Sequence, residues 1–563
     1  MALFSVDLGS GTVHRSEESG GSILGLRLLL ERTPGGLEPY APEALLYVAA
    51  GPLGGTAAPG LAKAVFLAKS PLMGIAGESH ALGPFASGLH GTSLAITGRA
   101  EVLSYLLVRD GRISLHRAPD LRGLGVAAVT DMLRQRYGDA AHVAAIGPAG
   151  ENLVRYASVV TDYAFPAMRY GLGAVFGAKN LKAIVCVGSP PPVSDPAGVE
   201  AIARFYREAI PHNPLTVVQH DPPGFGAWAG ARLDPGYAAV RNFSSTGDGT
   251  LRLPTAASYL GREVALTGNC PGCPTDCLKI YGPGRTGGLG QEAFLSLGWN
   301  LGIDDLDAVL EANALCNGLG LDQVSLGGTL AFAMEAALPP TFGDPLPDLI
   351  HAIAHRSGKV GDLLAEGSAR AARTLGVSCA MTVKSAEIPP FDPRIQPGIG
   401  LGYALSPSGP RYDALEHDLD FDPEHGLPYS WPQAALIGVE PAPAGELNAE
   451  RGRRTARLLR LWSAFDALNI CVFAATPTRP LTIDHVNALV TAVSGHPVDL
   501  LRTGQTRLDL MRAYAQREGS GPDTLPDRLH DEPVAAGPHR GAVLSRAAFA
   551  EARTAFMHEL GWS

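Results

Sequence analysis

Ser189-Pro190-Pro191-Pro192-Val193-Ser194-Asp195-Pro196 separates two stretches of different character. Proline this dense fixes φ and removes backbone donors, so it marks a domain edge rather than an element. Upstream, short apolar runs bounded by Gly or Asp read as strands, at 45–50, 93–98, 104–108, 143–147 and 183–188. A helix is predicted over 122–136. Downstream the pattern turns helical. Asp304 or Asp305 can cap a helix with apolar positions Leu306, Val309, Leu310 and Ala314, ending at the Gly318/Gly320 pair. Leu458, Leu461, Trp462, Phe465 and Leu468 repeat at helical spacing and predict a second helix, stopping near Asn469. A further proline-rich edge lies at Pro389-Pro390-Phe391-Asp392-Pro393-Arg394. The pattern predicts an α+β chain: a β domain over 1–192, a helical domain over 193–393 and a helical domain over 394–563.

Composition narrows the class. The 563 residues are 46% hydrophobic and 18% charged, which suits a large buried core and excludes a disordered chain. Glycine and proline are abundant without a triplet period, so collagen is excluded. A net charge of -10 argues against a general nucleic-acid binder. No apolar run approaches the roughly 18 residues of a membrane span. Residues 1–7 show no basic, then apolar, secretory pattern. Seven cysteines, an odd number, do not describe a disulfide scaffold, so a reducing cytoplasm is the expected home.

The sharpest chemical signal is Cys270-Pro-Gly-Cys273-Pro-Thr-Asp-Cys277. Three thiols within eight residues, punctuated by Pro and Gly, suit a loop folded around one object. Structural zinc usually takes a second short-spaced pair, and none follows. A [4Fe–4S] cluster needs four thiolates, the last of which can be distant. Cys186, Cys316, Cys379 and Cys471 are the candidates. Cys186 lies in an apolar strand run, Cys316 on a helix, Cys379 after a Gly turn, and Cys471 just past a helix end. The C-x2-C-x3-C spacing differs from the C-x3-C-x2-C of radical-SAM enzymes. Cluster, zinc and unliganded thiols all stay open on spacing alone. Two helix ends share a layout, Asn317-Gly-Leu-Gly320-Leu321-Asp322 and Asp466-Ala-Leu-Asn469-Ile470-Cys471; ordinary helix capping accounts for both.

With these segments stand Ile146-Gly-Pro-Ala-Gly-Glu-Asn-Leu-Val154 and Arg169-Tyr-Gly171-Leu-Gly173-Ala-Val-Phe-Gly-Ala-Lys179-Asn-Leu-Lys-Ala-Ile184. Together they resemble the aldehyde:ferredoxin oxidoreductase family of tungsten enzymes, whose corresponding stretches read IGPAGEN and RGGLGAVMGSKNLKAI. The similarity extends through 68–72, 391–394 and 401–407. It implies a two-sheet β domain cradling the cofactor under two mainly helical domains. The implied cofactor is tungsten, or molybdenum, held by two pyranopterins, with Mg²⁺ bridging their phosphates and one [4Fe–4S] cluster alongside. The hexamers match the family's two pterin-binding segments, which makes Asn317, Gly320, Leu321, Asp322, Asp466, Asn469 and Ile470 expected cofactor contacts. Lys63, Arg169, Gly171 and Gly173 join them, with Lys179 and Lys182 as further positive charge near the phosphates. Cys471 becomes the expected fourth cluster ligand, beside Cys270, Cys273 and Cys277.

The implied reaction is oxidation of an aldehyde to a carboxylic acid, with electrons passing to ferredoxin or a ferredoxin-like subunit, in a homodimer. Glu292 aligns with the family's active-site Glu and is the expected acid–base group. His417, His425 and Tyr412 are further catalytic candidates. Several positions depart from the family pattern: Asn317 stands for Asp, Asn469 for Gly, His80 for Asn and Tyr412 for His, which marks a divergent member. An aryl-CoA reductase-like activity, or a non-catalytic iron–sulfur electron carrier on the same fold, are the alternatives.

Overall fold

The computed structural model describes all residues except 1, 19, 228–235, 248, 253, 263–269, 283, 412–415 and 563. The strands before residue 188 are β1 (Ala2–Asp7), β2 (Val13–Ser16), β3 (Leu46–Ala49), β4 (Lys63–Lys69), β5 (Ala76–Leu82), β6 (Thr92–Thr97), β7 (Ser104–Arg109), β8 (Arg112–Arg117), β9 (His142–Ile146), β10 (Val159–Thr161), β11 (Phe165–Ala167) and β12 (Leu181–Val187). They form two six-stranded sheets, ordered β2-β1-β6-β3-β4-β5 and β11-β10-β9-β12-β7-β8. Only β1/β6 and β7/β12 pair in parallel among these strands.

Side-chain alternation assigns each face. Phe4, Val48, Phe66 and Ile96 of the first sheet meet Leu106, Ile146, Val159 and Ile184 of the second in one core between the sheets. The other face of the first sheet carries Tyr47, Val65 and Leu67. It is covered by Leu26 and Leu29 of helix Ser22–Arg32 and by Met511 and Tyr514 of helix Leu500–Glu518. Tyr105, Val143 and Val185 of the second sheet pack on Val129 and Leu133 of helix Val126–Tyr137. Covered on both faces, β3 and β4 are buried along their whole length and lose the polar–apolar alternation of a half-exposed strand.

The five predicted runs form β3, β6, β7, β9 and β12. Helix Pro196–Ala209 starts directly after the proline-rich edge, with the Asp195 carboxylate accepting from the Gly198 N–H. Helix Leu306–Leu319 is capped by Asp305 and closed by left-handed Gly320. Helix Ala449–Ala467 is followed by Asn469 at φ 58°, a conformation that Asn tolerates better than most residues. Trp299, Leu310, Leu330, Ile350, Leu401, Leu459 and Phe556 share one core, which continues across residue 393. No helix among the described residues is long and apolar enough to cross a membrane.

Candidate active site

The site begins at the outer edge of the first sheet. Register pairs Lys63 with Leu82, Val65 with His80 and Leu67 with Glu78. Lys63, Glu78 and His80 therefore share the face that the C-terminal helices cover. There Asp466, in the last turn of helix Ala449–Ala467, lies 2.7 Å from Lys63 Nζ, 3.1 Å from Arg411 Nη1, 3.4 Å from Arg507 Nη2 and 3.3 Å from His80 Nδ1. Glu78 meets Arg507 at 2.7 Å and His80 Nε2 at 2.9 Å, and accepts from the Ser22 hydroxyl.

Burial pushes the Asp466 carboxyl up, but Arg411 and Lys63 outweigh it and hold it well below the usual range. Burial likewise opposes Arg507 and His80 at Glu78, and the balance holds that carboxyl at about 2. Burial and Lys63 press His80 below the ordinary imidazole value. Glu78, His80 and Asp466 come close enough together to suggest a metal site. Three cations already occupy their surroundings, so the cluster is an internal ion network.

Two cavities adjoin this network. The larger is lined by Lys63, His80, Phe165, Phe225, Cys270, Cys277, Glu292, Gln323, Cys471 and Phe473, among others. The other is lined by Glu78, His80, Met168, Arg169, Glu292 and Arg411, among others. Glu292 borders both. It sits in the first turn of helix Gln291–Leu297 and is 4% exposed.

The cysteine loop forms the far wall. Gly272 turns it at φ 73°, and a Cβ there would fall 2.2 Å from the Ala57 carbonyl oxygen, so only glycine fits. The Cys277 carbonyl accepts from the Phe225 N–H, and the Cys471 N–H donates to the Gly60 carbonyl. Gly272 lies against Ala57 and Cys471 bonds to Gly60, so the 57–60 segment holds both the cysteine loop and Cys471. Burial raises the Cys270 and Cys277 thiols, and each is pushed further by Cys273 and Cys471 nearby. Cys471 is pushed up to about 11 by burial and by Cys273. Cys270, Cys277 and Cys471 so placed resist ionisation unless a positive centre takes up their charge. Cys186 and Cys316 lie in hydrophobic cores, and Cys379 lines neither cavity.

Comparison with known proteins fixes the family. Residues 3–188 match the family description "Aldehyde ferredoxin oxidoreductase, N-terminal domain", and residues 235–563 match "Aldehyde ferredoxin oxidoreductase, domains 2 & 3". The chain belongs to the aldehyde ferredoxin oxidoreductase family. It is 32% identical to the tungsten-containing aldehyde ferredoxin oxidoreductase of Pyrococcus furiosus, over 92% of this chain and 88% of that one. For the Pyrococcus horikoshii enzyme of the same name the identity is 31%, over 96% and 93%. The WOR-like subunit of an aliphatic sulfonate oxidoreductase from Pyrococcus furiosus is 25% identical, over 93% and 86%. The active-site complex BamBC of benzoyl coenzyme A reductase shares the fold, with a TM-score of 0.82 at 22% identity, over 100% of this chain and 94% of that one.

Within this oxidoreductase family, the chain arranges its expected residues unevenly. Lys63, Arg169, Glu292, Cys270, Cys277 and Cys471 line the cavities, Asp466 braces them, and Cys273 packs beside Cys471. Arg169, Tyr170 and Gly171 all adopt positive φ. Tyr170 does so where the family stretch has glycine, a strained backbone held by Arg169 bonds to the Glu387 and Pro410 carbonyls at 2.5 and 3.0 Å. Asn469 Nδ2 donates to the Lys63 carbonyl at 3.0 Å, and the Ile470 carbonyl accepts from Lys63 Nζ at 3.4 Å. That bond gives the departure from glycine a use.

Other expected residues lie back from the cavities. Gly320 and Leu321 fasten the hexamer to Ser158 and Cys316 through backbone bonds. Asp322 caps helix Gln323–Glu335 and pairs with Arg169 at 3.4 Å. Gly171 and Gly173 lie against the Arg155 and Ser158 carbonyls. Lys179 donates to the Pro42 and Gly98 carbonyls and Lys182 to the Leu124 carbonyl and Glu151, so both serve packing rather than cofactor phosphates. His417 is half-buried, with Nδ1 3.2 Å from Gln396 and its ring edge-on to Phe391. His425 is at the surface, its side chain 71% exposed and 3.4 Å from Asp422. Neither histidine lines either of these two cavities. Tyr412 lies outside the described residues. Glu78, Arg507 and Gln323 escape sequence reasoning; a glutamate and a histidine two apart within a strand are the local trace of the first.

Proposed function

We propose that this chain oxidises an aldehyde to the carboxylic acid with water, passing two electrons to a ferredoxin or ferredoxin-like subunit. Glu292 carries the reading: a buried carboxylate in the wall common to two cavities, one bounded by three cysteines and the other by Arg169 and Arg411. The residues fit a tungsten bis-pyranopterin with a [4Fe–4S] cluster. Four gathered thiols suit the cluster, and the buried Nε of Arg169 and Oε1 of Gln323 lack partners among the described residues, as the walls of a polar ligand's site do. When bound, these groups supply the redox chemistry, taking up an electron pair and releasing it singly.

The chain's own residues do the rest. Cys270, Cys273, Cys277 and Cys471 would hold the cluster. Lys63, Arg169, Asp466 and the two hexamers would hold the pterins, and Mg²⁺ would offset the charge of their phosphates. Glu292 accepts the proton of the attacking water. Phe165, Phe225 and Phe473 keep bulk water from the cavity. The reading includes a cytoplasmic homodimer. It is tested by anaerobic assay of aldehyde-dependent viologen reduction. Carboxylate formed at one mole per two moles of one-electron dye supports it. No reduction with aliphatic or aromatic aldehydes, alongside turnover of an aryl-CoA, would transfer the chain to the aryl-CoA reductase-like reading.

A further inference from the structure

Gln323 opens helix Gln323–Glu335, is 1% exposed and lines the larger cavity with Gly288, Gly290 and Glu292. Its amide is oriented by a chain of bonds that starts in the backbone. The carbonyls of Thr286 and Gly288 can only accept. Asn317 Nδ2 donates to them at 2.6 and 3.2 Å, and Asn313 Nδ2 donates to Gly288 at 3.0 Å. Both asparagines therefore turn their Oδ1 atoms towards Gln323. Gln323 Nε2 donates to Asn317 Oδ1 and, at 3.4 Å, to Asn313 Oδ1. Both of its N–H groups are then used. Reversing the amide would set three oxygens against one another, so the backbone dictates the orientation. The remaining atom, Gln323 Oε1, is buried with no hydrogen-bond partner among the described residues. A buried acceptor without a donor is unfavourable, and a cavity wall is where an occupant can supply one.

We propose that Gln323 Oε1 is a binding residue for an N–H or O–H donor of the cavity's occupant, with Asn317 as the positioning residue that aims it. The donor belongs either to the resident pterin or to a hydroxyl on the substrate. The inference rests on the function proposed above. It also gives the replacement of Asp by Asn317 a physical sense: a carboxylate there has no N–H for Thr286 and Gly288 and would leave the relay without its first link.

The test compares the parent holoenzyme with Gln323→Met, which keeps the length and removes both amide groups, and Gln323→Glu, whose protonated carboxyl can donate to Asn317 and still present an oxygen. Each is purified anaerobically. Tungsten and pterin per chain are measured, then KM and kcat for acetaldehyde and glycolaldehyde at matched tungsten. If the donor is pterin, Gln323→Met loses about fivefold or more of its pterin, the scale of one unmet buried hydrogen bond. If the donor is a substrate hydroxyl, pterin content holds and KM for glycolaldehyde alone rises by about that factor. In either arm Gln323→Glu recovers at least half of the loss. Should Gln323→Met fail to fold, Gln323→Glu decides by keeping the parent's pterin content and KM values. Pterin content and both KM values unchanged in Gln323→Met overturn the inference and leave the proposed function intact. A parent protein without pterin overturns both.

Discussion

Lys63 and Asp466, 403 positions apart in sequence, meet at 2.7 Å with both side chains buried. This contact ties the edge of the first sheet to the end of helix Ala449–Ala467, and Lys63 lines the larger cavity. Asp466 also balances Arg411 and Arg507, so it is the hub of the network. Removing one partner of a buried ion pair typically costs about 3–5 kcal/mol. Asp466→Asn is expected to lower the thermal midpoint strongly and to reduce bound pterin. Lys63→Met, which leaves Asp466 two other cations, is expected to lower it less. Equal midpoints for the two variants would show that the network is not centred on Asp466.

The same network sets a response to acid. Glu78 is held at about 2 in the fold against an ordinary 4.5, because Arg507 and His80 overcome its burial. Asp466 is also held well below its ordinary 3.8. The unfolded chain takes up these protons first as pH falls, so the stability they confer is complete above about pH 4.5 and is lost towards about pH 2. Glu78→Gln is expected to be less stable than the parent at neutral pH and to lose less on acidification through that window. Circular dichroism against pH checks this; parallel curves would contradict it.

Cys471 is expected to be the fourth cluster ligand. Cys471→Ala should lose or convert the [4Fe–4S] centre, read as iron per chain and by electron paramagnetic resonance. Cys316→Ala, a change within the helical core, should keep it. The reverse pattern would reassign the ligand.

Glu292→Gln is expected to leave tungsten and iron content intact and to cut kcat by about 10²–10⁴-fold, the range of a positioned acid–base group. KM should move far less, because the proton moves only on the way to the transition state. Turnover within about twofold of the parent would make Glu292 structural.

The sequence carried the elements whose signals are local. Gly320 and Asn469 end their helices where capping residues should, and the close spacing of Cys270, Cys273 and Cys277 marks one short loop as a candidate ligand set. β4 and β5 were less legible because Lys63, Lys69, Glu78 and His80 interrupt their apolar runs. Those polar groups are buried against Asp466, Arg507 and Glu518, whose positions only the fold supplies. For the same reason Lys179 and Lys182 read as positive charge near the phosphates, although Lys179 satisfies backbone carbonyls and Lys182 a carbonyl and Glu151, and Gln323 gave no sign. His425 read as a candidate from its acidic neighbours, and those neighbours are simply surface company.

The central claim, that this chain is a tungsten-pterin oxidoreductase with one [4Fe–4S] cluster, is tested most directly by elemental and pterin analysis of anaerobically purified protein. The account predicts about one tungsten and about four irons per chain, with pterin released on denaturation. Zinc alone, with neither pterin nor tungsten, would contradict it.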